Sequence, residues 1–188
     1  MRLPYVPDLP VVTERLRLRE FRPDDFDALL RAQSDQDNVR FVPYEPRTPE
    51  QMRTALERKI EGRALSAPGD HLDLAVELHD GTVVGDLVAM LHAVEHQTLE
   101  VGWIFDPGHA GAGYATESVR AMFAMLFDGA GARRLVARVD ERNATSRRLC
   151  ERLGMRLEAH LVDNEWFKGE LTSEVDYALL AREWTDGS

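Results

Sequence analysis

The chain has 188 residues, of which 44% are hydrophobic and 30% are charged, a composition typical of one globular α/β domain with a sizeable core. No apolar run approaches the ~20 residues of a membrane span, and no basic and apolar N-terminal segment typical of a secretion signal is present. A formal net charge of −10 argues against nucleic-acid binding and weakly favours an amine-bearing ligand, although acidity also serves solubility alone.

The cysteine and histidine residues indicate which disulfide, nucleophile and metal chemistry to expect. The single cysteine, Cys150, cannot form an internal disulfide, which is typical of a reducing compartment and predicts a cytoplasmic protein. It falls on an amphipathic segment without a nearby histidine, so a packed apolar role is favoured over a nucleophilic one. The six histidines lack the spacing of metal ligands, and we expect no metal site.

The first half of the chain predicts an arm, a strand and two helices. Residues 1–12 contain three prolines without hydrophobic periodicity and are interpreted as an arm ahead of a domain at residues 13–184, with a tail at residues 185–188. Alternating leucines after Thr13 predict a strand, and Pro23 begins a helix. Thr48, Pro49 and Gln51 form a capping-box start for a second helix that runs to about Arg63.

An aromatic, proline-rich loop lies between those two helices, at residues 38–46 (NVRFVPYEP). Its prolines prevent it from continuing a helix. Phe41 and Tyr44 within it have two open interpretations, since they either cap the core or line a ligand pocket.

Alternation at residues 72–78, a turn at residues 79–81 and two valines after it predict a β-hairpin. A further strand at residues 99–105 places Glu100, Gly102 and Ile104 on one face. It leads into residues 104–117 (IFDPGHAGAGYATE), where three glycines within six residues precede a helix-period segment.

This strand, glycine loop and helix suit a pyrophosphate, because glycine allows close backbone approach and a helix N-terminus offers unpaired N–H groups. Tight strand-to-helix packing is the simpler alternative. The loop lacks the Gly-Lys-Ser/Thr of a Walker loop, and its G-x-x-G-x-G spacing differs from a dinucleotide fingerprint.

A second motif follows a strand at residues 133–139. The segment 140–155 (DERNATSRRLCERLGM) predicts a helix that Gly154 ends. Asn143 and Ser146 at its start are explained either as helix caps or as ligand-binding groups. Two closing strands, at residues 157–162 and 175–180, are expected to be joined across residues 163–169.

Together these motifs resemble the GNAT N-acyltransferase superfamily. The loop matches the last two glycines of its Gln/Arg-x-x-Gly-x-Gly/Ala pattern, with Gly108 in the place of Gln or Arg, and N-x-x-S matches its second signature. The opening TERLRLR, the GYATE segment and the tail resemble the branch of ribosomal-protein N-terminal acetyltransferases (RimJ/RimL type). The resemblance covers about residues 13–184.

The resemblance implies one α/β (α+β) domain: a mixed, mostly antiparallel sheet of about six to seven strands, splayed between its fourth and fifth strands and flanked by about four helices. It implies transfer of an acetyl group from acetyl-CoA to a primary amine, either a protein N-terminus or a small molecule, by direct attack in a ternary complex. A non-catalytic acyl-CoA-binding domain and a transferase for another acyl-CoA are the alternatives. An exposed strand edge and the apolar tail favour a homodimer.

The resemblance also implies roles for individual residues. Ser146 is expected to protonate the leaving CoA thiolate, and Glu100 and then Glu165 are candidate bases for the amine; a solvent-facing or dimer-facing Glu100 is the alternative. The acceptor-lining candidates are Phe41, Tyr44, Trp103 and Trp166. The cofactor-binding residues implied are Ile104, Phe105, His109, Ala110, Gly111, Ala112, Gly113, Tyr114, Ala115, Thr116, Asn143, Ser146 and Arg147.

Overall fold

The computed structural model describes residues 1–184, and the tail expected at residues 185–188 lies outside the described residues. Its strands form one sheet in the order β1-β2-β3-β4-β5-β6-β8-β7. They are β1 (Val11–Val12), β2 (Leu16–Arg19), β3 (His71–Leu78), β4 (Val83–Ala93), β5 (Thr98–Phe105), β6 (Arg134–Asp140), β7 (Arg156–Phe167) and β8 (Glu170–Leu180). The α-helices are α1 (Phe26–Gln33), α2 (Pro49–Glu61), α3 (Tyr114–Ala124) and α4 (Ala144–Arg152).

The sheet opens between β5 and β6, its one parallel pair of neighbours among the described strands. These two strands pair only where Thr98, Leu99 and Glu100 face residues 134–136. Beyond these positions, β5 continues to Phe105 and β6 continues to Asp140, but the two strands no longer pair with each other. The predicted splay is therefore confirmed, and it creates a cleft whose walls are backbone edges.

The mixed sheet and its four α-helices confirm the predicted fold class, with eight strands among the described residues instead of six or seven. The additional strand is β1, in which Val11 pairs with Leu18 of β2. It lies inside the segment interpreted as an arm, where Tyr5 also exchanges two backbone hydrogen bonds with Leu65. A two-residue strand is too short to show alternation, so the sequence pattern does not reveal it.

The expected bounds of the closing strands are wrong. β7 and β8 extend toward each other until only Lys168 and Gly169 remain between them, with φ of 48° and 85°, a two-residue hairpin turn. Most of β7 is exposed on both faces. The alternation of apolar residues stops at Val162, because residues 163–165 (DNE) are all polar, so the pattern does not mark the second half of the strand.

Two apolar clusters cover opposite faces of the sheet. The larger one joins the sheet to α3 and α4, and the smaller one lies under α1 and α2. In β3, Leu74 and Val76 enter the first cluster and Ala75 enters the second, as strand alternation requires. Cys150 is fully buried in the larger cluster, and burial raises its pKa to about 12, which fits a packed residue.

Candidate active site

A cavity of about 810 Å³ occupies the cleft and extends beneath α2. Its floor is one face of the sheet, because directly opposite residues of antiparallel strands share a face. The floor pairs are Glu100 with Met90, Gly102 with Val88, and Ile104 with Asp86. The face predicted for Glu100, Gly102 and Ile104 thus lies in this cavity.

The glycine loop connects β5 to α3. Asp106 Oδ1 accepts a hydrogen bond from the N–H of Gly108 at 2.9 Å, while Gly111 and Gly113 have φ of 80° and 85°, which glycine adopts without steric cost. Gly113 caps α3 and residues 110–113 are exposed. The first N–H groups of α3 lack helical acceptors and are available to phosphate oxygens.

Behind this loop, Thr13 and Arg15 hydrogen-bond the carboxylate of Glu117, an arrangement that we call the lock. The sequence did not predict it. Thr13 Oγ1 donates to Glu117 Oε1 at 2.6 Å, and the Arg15 backbone N–H donates to the same oxygen at 2.9 Å. The Arg15 guanidinium donates to Glu117 Oε2 at 2.7 Å and to the carbonyl of Ala112 at 2.7 Å. Because Arg15 neutralises this first-turn carboxylate, the negative charge of Glu117 does not oppose a phosphate at the helix N-terminus.

Because of this lock, we expect Glu117→Gln to lower the free energy of unfolding by an amount that depends on pH. Burial alone would raise the pKa of Glu117, but the hydrogen bonds from Thr13 and Arg15 lower it overall. The ionised carboxylate therefore stabilises the fold above its unfolded pKa of about 4.3, and this contribution is lost as the pH falls through the folded value. We expect a loss of roughly 1–3 kcal/mol at pH 7 that shrinks toward pH 3, measured by urea denaturation.

The matched control for that measurement is Glu57→Gln, an exposed glutamate on α2. We expect this control to change the free energy of unfolding by less than about 0.5 kcal/mol at either pH. A Glu117→Gln deficit that does not depend on pH would contradict the lock.

Three other predicted cofactor-binding residues near the loop have side chains that pack within the protein, so their backbone groups are the parts left for a ligand. The Phe105 ring packs on Gly85, where an added Cβ would come within 2.4 Å of it. The Tyr114 ring lies under the Arg15 guanidinium at 5.1 Å. Ala115 packs against the core.

Two side chains of the loop region have polar neighbours within the protein. His109 Nδ1 lies 3.6 Å from Asp106 Oδ2 and has no hydrogen-bond partner within residues 1–184. Thr116 Oγ1 accepts from Arg152 at 3.3 Å. His109 therefore turns Nδ1 toward the carboxylate of Asp106.

The start of α4 brings Asn143 and Ser146 to the cavity wall. Asn143 also caps the helix, since its Oδ1 accepts from the N–H of Ser146 at 3.1 Å. The capping interpretation is therefore confirmed, and ligand binding by Asn143 and Ser146 stays a prediction. Arg147 turns elsewhere and donates to the carbonyl of Glu141 at 2.9 Å. Ser146 Oγ accepts a hydrogen bond from Trp103 Nε1 at 3.2 Å.

The acceptor-side candidates separate into two groups. Phe41, Tyr44 and Trp103 line the cavity. Burial, with a smaller contribution from Asp86, raises the pKa of Tyr44 to about 12, so its hydroxyl stays protonated. Trp166 is 70% exposed on β7 and is not among the residues that line this cavity.

The two candidate bases separate in the same way. Glu100 Oε2 lies 2.7 Å from His92 Nε2 and 3.5 Å from Arg138 Nε, at the last paired position between β5 and β6. Glu165 is exposed on β7, outside the cavity lining. Glu100 is thus the one of these two carboxylates that the fold places at the closed end of the cleft.

A buried ionic network beneath α2 was also missed. Lys59 Nζ lies 2.9 Å from Asp73 Oδ1 and 2.9 Å from Asp86 Oδ1, and Gln33 donates to Asp86 at 3.0 Å. Burial opposes the charge of Lys59, but the two carboxylates outweigh it and raise its pKa. The three charged residues lie on α2, β3 and β4, so sequence spacing gives no sign of their contact.

Two negative findings concern the described residues alone. Within residues 1–184, no group of three or more His, Cys, Asp and Glu side chains is arranged to hold a metal ion. None of the helices there has the length and apolarity needed to cross a bilayer.

Comparisons with known proteins agree with this geometry. The family model described as "Acetyltransferase (GNAT) domain" matches residues 15–156. The chain is 27% identical over 179 residues to the uncharacterized N-acetyltransferase YnaD of Bacillus subtilis (strain 168), covering 93% of this chain and 98% of that protein.

Solved structures share the fold. A GNAT-family acetyltransferase from Bacillus anthracis superposes with a TM-score of 0.84 at 28% identity, covering 93% of this chain and 100% of the other. Spermidine N-acetyltransferase from Vibrio cholerae, in complex with CoA and spermine, has a TM-score of 0.78 at 18% identity, covering 91% of this chain and 98% of the other, and is similar in fold alone. Since the family model spans most of the sequence, this chain belongs to the GNAT family of acetyltransferases.

Proposed function

We propose that this acetyltransferase moves the acetyl group of acetyl-CoA to a primary amine by direct attack in a ternary complex. The observation that carries the proposal is the continuity of the cavity. Asn143 and Ser146 line it on the side of the splayed strands, and Tyr44 and Lys59 line it beneath α2. One space therefore offers room for a thioester and an amine side by side, and such positioning lowers a bimolecular barrier by roughly 7–11 kcal/mol.

The described residues fit acetyl-CoA in charge and shape. Exposed residues 110–113 and the start of α3 would hold the pyrophosphate with backbone N–H groups, and the pairing of Glu117 with Arg15 offsets the negative charge in the first turn of α3. The unpaired edge of β5 after Glu100 would bond the pantetheine amides. A backbone N–H of β5 would also polarise the thioester carbonyl.

The chemistry that we propose balances without a resident metal. The neutral amine forms a C–N bond with the thioester carbon, and the C–S bond breaks with its electron pair on sulfur. The amine proton passes to Glu100, directly or through a water molecule, while Ser146 stabilises the departing sulfur. The thiolate then takes a proton from the Ser146 hydroxyl or from water. The products are an amide and the free thiol of CoA.

The acceptor class belongs to this proposal as two alternatives, a protein N-terminal amine of the RimJ/RimL type or a small amine. The cavity walls carry both charge signs, with Arg47, Arg58 and Lys59 facing Asp73 and Asp86. An amine that also bears polar groups suits such walls better than a purely apolar one.

A homodimer is part of the same proposal. β7 forms one edge of the sheet, and five large apolar side chains on β7 and β8 are exposed. Uncovered apolar edges of this kind are surfaces for pairing. The exposed residues are Leu157, Leu161, Val162, Trp166 and Leu171. Sedimentation equilibrium would test the dimer, and a monomer across the micromolar range would contradict it.

The first test is a thermal shift with acetyl-CoA, followed by thiol release against a panel of small amines and N-terminal peptides. Acetyl-CoA at 100 times its Kd is expected to stabilise the fold by about 2.7 kcal/mol, a shift of several degrees in a chain of this size. Thiol release that depends on the amine would establish the acceptor class.

The other outcomes of this test are distinct. A thermal shift without thiol release from any amine would favour an acyl-CoA-binding domain. A thermal shift with another acyl-CoA and none with acetyl-CoA would mean that the other acyl-CoA is the donor. No shift at all would mean that Gly108 leaves the loop too weak to bind CoA, and the proposal would be wrong.

A further inference from the structure

The side chain of Trp103 connects two parts of the cleft that are far apart in sequence. Trp103 lies on β5, one position from the floor residues Gly102 and Ile104, and its ring packs against the larger apolar cluster. Its indole N–H reaches the first turn of α4 and donates to Ser146 Oγ at 3.2 Å. Both residues line the cavity.

The direction of this hydrogen bond determines what Ser146 can do. Indole Nε1 is a donor only, so Ser146 Oγ must be the acceptor. The backbone N–H of Ser146 is already bonded to Asn143 Oδ1. Within residues 1–184, the Ser146 hydroxyl donates to no protein acceptor. Its proton is therefore free to point into the cavity that it lines.

We infer that Trp103 is a positioning residue, which holds Ser146 so that its hydroxyl donates a hydrogen bond to the sulfur of the leaving thiolate. A hydroxyl that accepts one hydrogen bond becomes a stronger donor of its own, because hydrogen bonds in a chain polarise one another. The half-buried indole, packed against the larger apolar cluster, also fixes the oxygen in place. This inference rests on the proposed acetyl transfer, and it gives Trp103 a role other than lining the acceptor pocket.

The step balances without a net change at Ser146. As the C–S bond breaks, its electron pair stays on sulfur, and the Ser146 O–H stabilises that charge by donation. The thiolate then takes a proton from the hydroxyl or from water, and the serine recovers any lost proton from solvent. Trp103 keeps its own N–H proton throughout, so it acts only through Ser146.

The kinetic test is a double-mutant cycle of Trp103→Phe and Ser146→Ala. Trp103→Phe keeps an aromatic ring and removes the donor, and we expect kcat to fall about tenfold with little change in KM for acetyl-CoA. Ser146→Ala is expected to lower kcat about 100-fold. In the Ser146→Ala background, Trp103→Phe should change kcat by less than about twofold, because nothing is left to position.

Ser146→Thr and Thr145→Ala are the matched variants. Ser146→Thr retains a hydroxyl and should recover most of the activity that Ser146→Ala loses. Thr145 is the exposed neighbour on α4, and its replacement by alanine should leave kcat unchanged. If Trp103→Phe lowered kcat by the same factor in the wild-type and Ser146→Ala backgrounds, the inference would be overturned, because Trp103 would then act through packing alone.

A second readout needs no turnover. In the free protein labelled with ¹⁵N, Trp103→Phe assigns the Trp103 indole signal, and Ser146→Ala should shift that signal and speed its hydrogen exchange. The indole of Trp166, which is 70% exposed, should stay unchanged. An unaffected Trp103 signal would overturn the hydrogen bond itself. Failure of the wild-type chain to release thiol would instead overturn the proposed function.

Discussion

Replacing Glu100 with glutamine is expected to lower kcat for acetyl transfer by about 10²–10⁴-fold, the range typical of a lost general base. The substitution keeps the size of the side chain and removes its ability to accept a proton. Glu100 occupies the last paired position of β5 with β6 and forms part of the cavity floor. A pantetheine arm that follows the open edge from Phe105 would reach Glu100 after about 17 Å, the length of five strand residues.

The neighbours of Glu100 hold its carboxylate in a fixed position. His92 and Arg138 contact the same Oε2 atom at 2.7 Å and 3.5 Å, which leaves Oε1 available to the acceptor amine or to a water molecule. Glu100→Gln should therefore preserve the thermal shift with acetyl-CoA while transfer is lost. This separation between binding and turnover is the signature of a residue that acts on the amine.

Glu165→Gln is the matched comparison, since it makes the same chemical change at an exposed site on β7 outside the cavity lining. The structure favours an effect of less than about twofold on kcat for this variant. If Glu165→Gln abolished transfer and Glu100→Gln did not, the second candidate would be the base. If neither variant lost activity, water alone would remove the amine proton.

Replacing Lys59 with methionine is expected to lower the free energy of unfolding by roughly 3–5 kcal/mol at pH 7, the cost of leaving a buried charge without its partner. Asp73 and Asp86 are both buried, at 5% exposure each. Lys59 is the one cation that contacts both of these carboxylates within residues 1–184. Methionine fills a similar volume, so the loss in free energy of unfolding measures the effect of removing the charge more than the effect of altered packing.

The deficit of Lys59→Met should depend on pH with a definite sign. Burial already raises the pKa of Asp86, and removal of the ammonium raises it further. A carboxyl group whose folded pKa lies above its unfolded value of about 3.9 destabilises the fold as the pH rises through that interval. The deficit should therefore shrink as the pH falls toward 4, measured by guanidinium denaturation at several pH values.

Two variants complete that measurement. Arg58→Met removes the neighbouring exposed cation, which reaches only the ring of His71 at 3.3 Å, and should cost about 1 kcal/mol or less. The triple variant that adds Asp73→Asn and Asp86→Asn to Lys59→Met should recover much of the loss, because no buried charge remains. A Lys59→Met deficit below about 1 kcal/mol at pH 7 would contradict the network.

Local chemistry was sufficient for several helix ends and for the turn that the glycine loop makes. The capping box of Thr48 and Gln51 is formed as predicted, and Gly154 ends α4 with φ of 79°. The glycines at 111 and 113 adopt a positive φ, which glycine permits without steric cost. Each of these features depends on residues within a few positions of one another, so the sequence carries all of the relevant information.

Contacts between distant segments were not predictable in the same way. The lock of Thr13 and Arg15 on Glu117 joins residues about 100 positions apart, and the network of Lys59 with Asp73 and Asp86 joins one helix to two strands. Single charged residues look alike in sequence whether they face solvent or each other. Their partners are decided only when the sheet brings their elements together.

The sequence by itself determined helix starts, helix ends and the glycine loop, because capping and turn preferences are local. Its resemblance to the GNAT superfamily implied the fold and a place for Asn143 and Ser146 beside the cleft. Only the tertiary structure decided which side chains share the cavity. It placed Glu100 at the closed end of the cleft and left Glu165 exposed on β7. It also aimed the Trp103 indole at Ser146, a choice set by how far β5 and β6 diverge and where α4 packs against them.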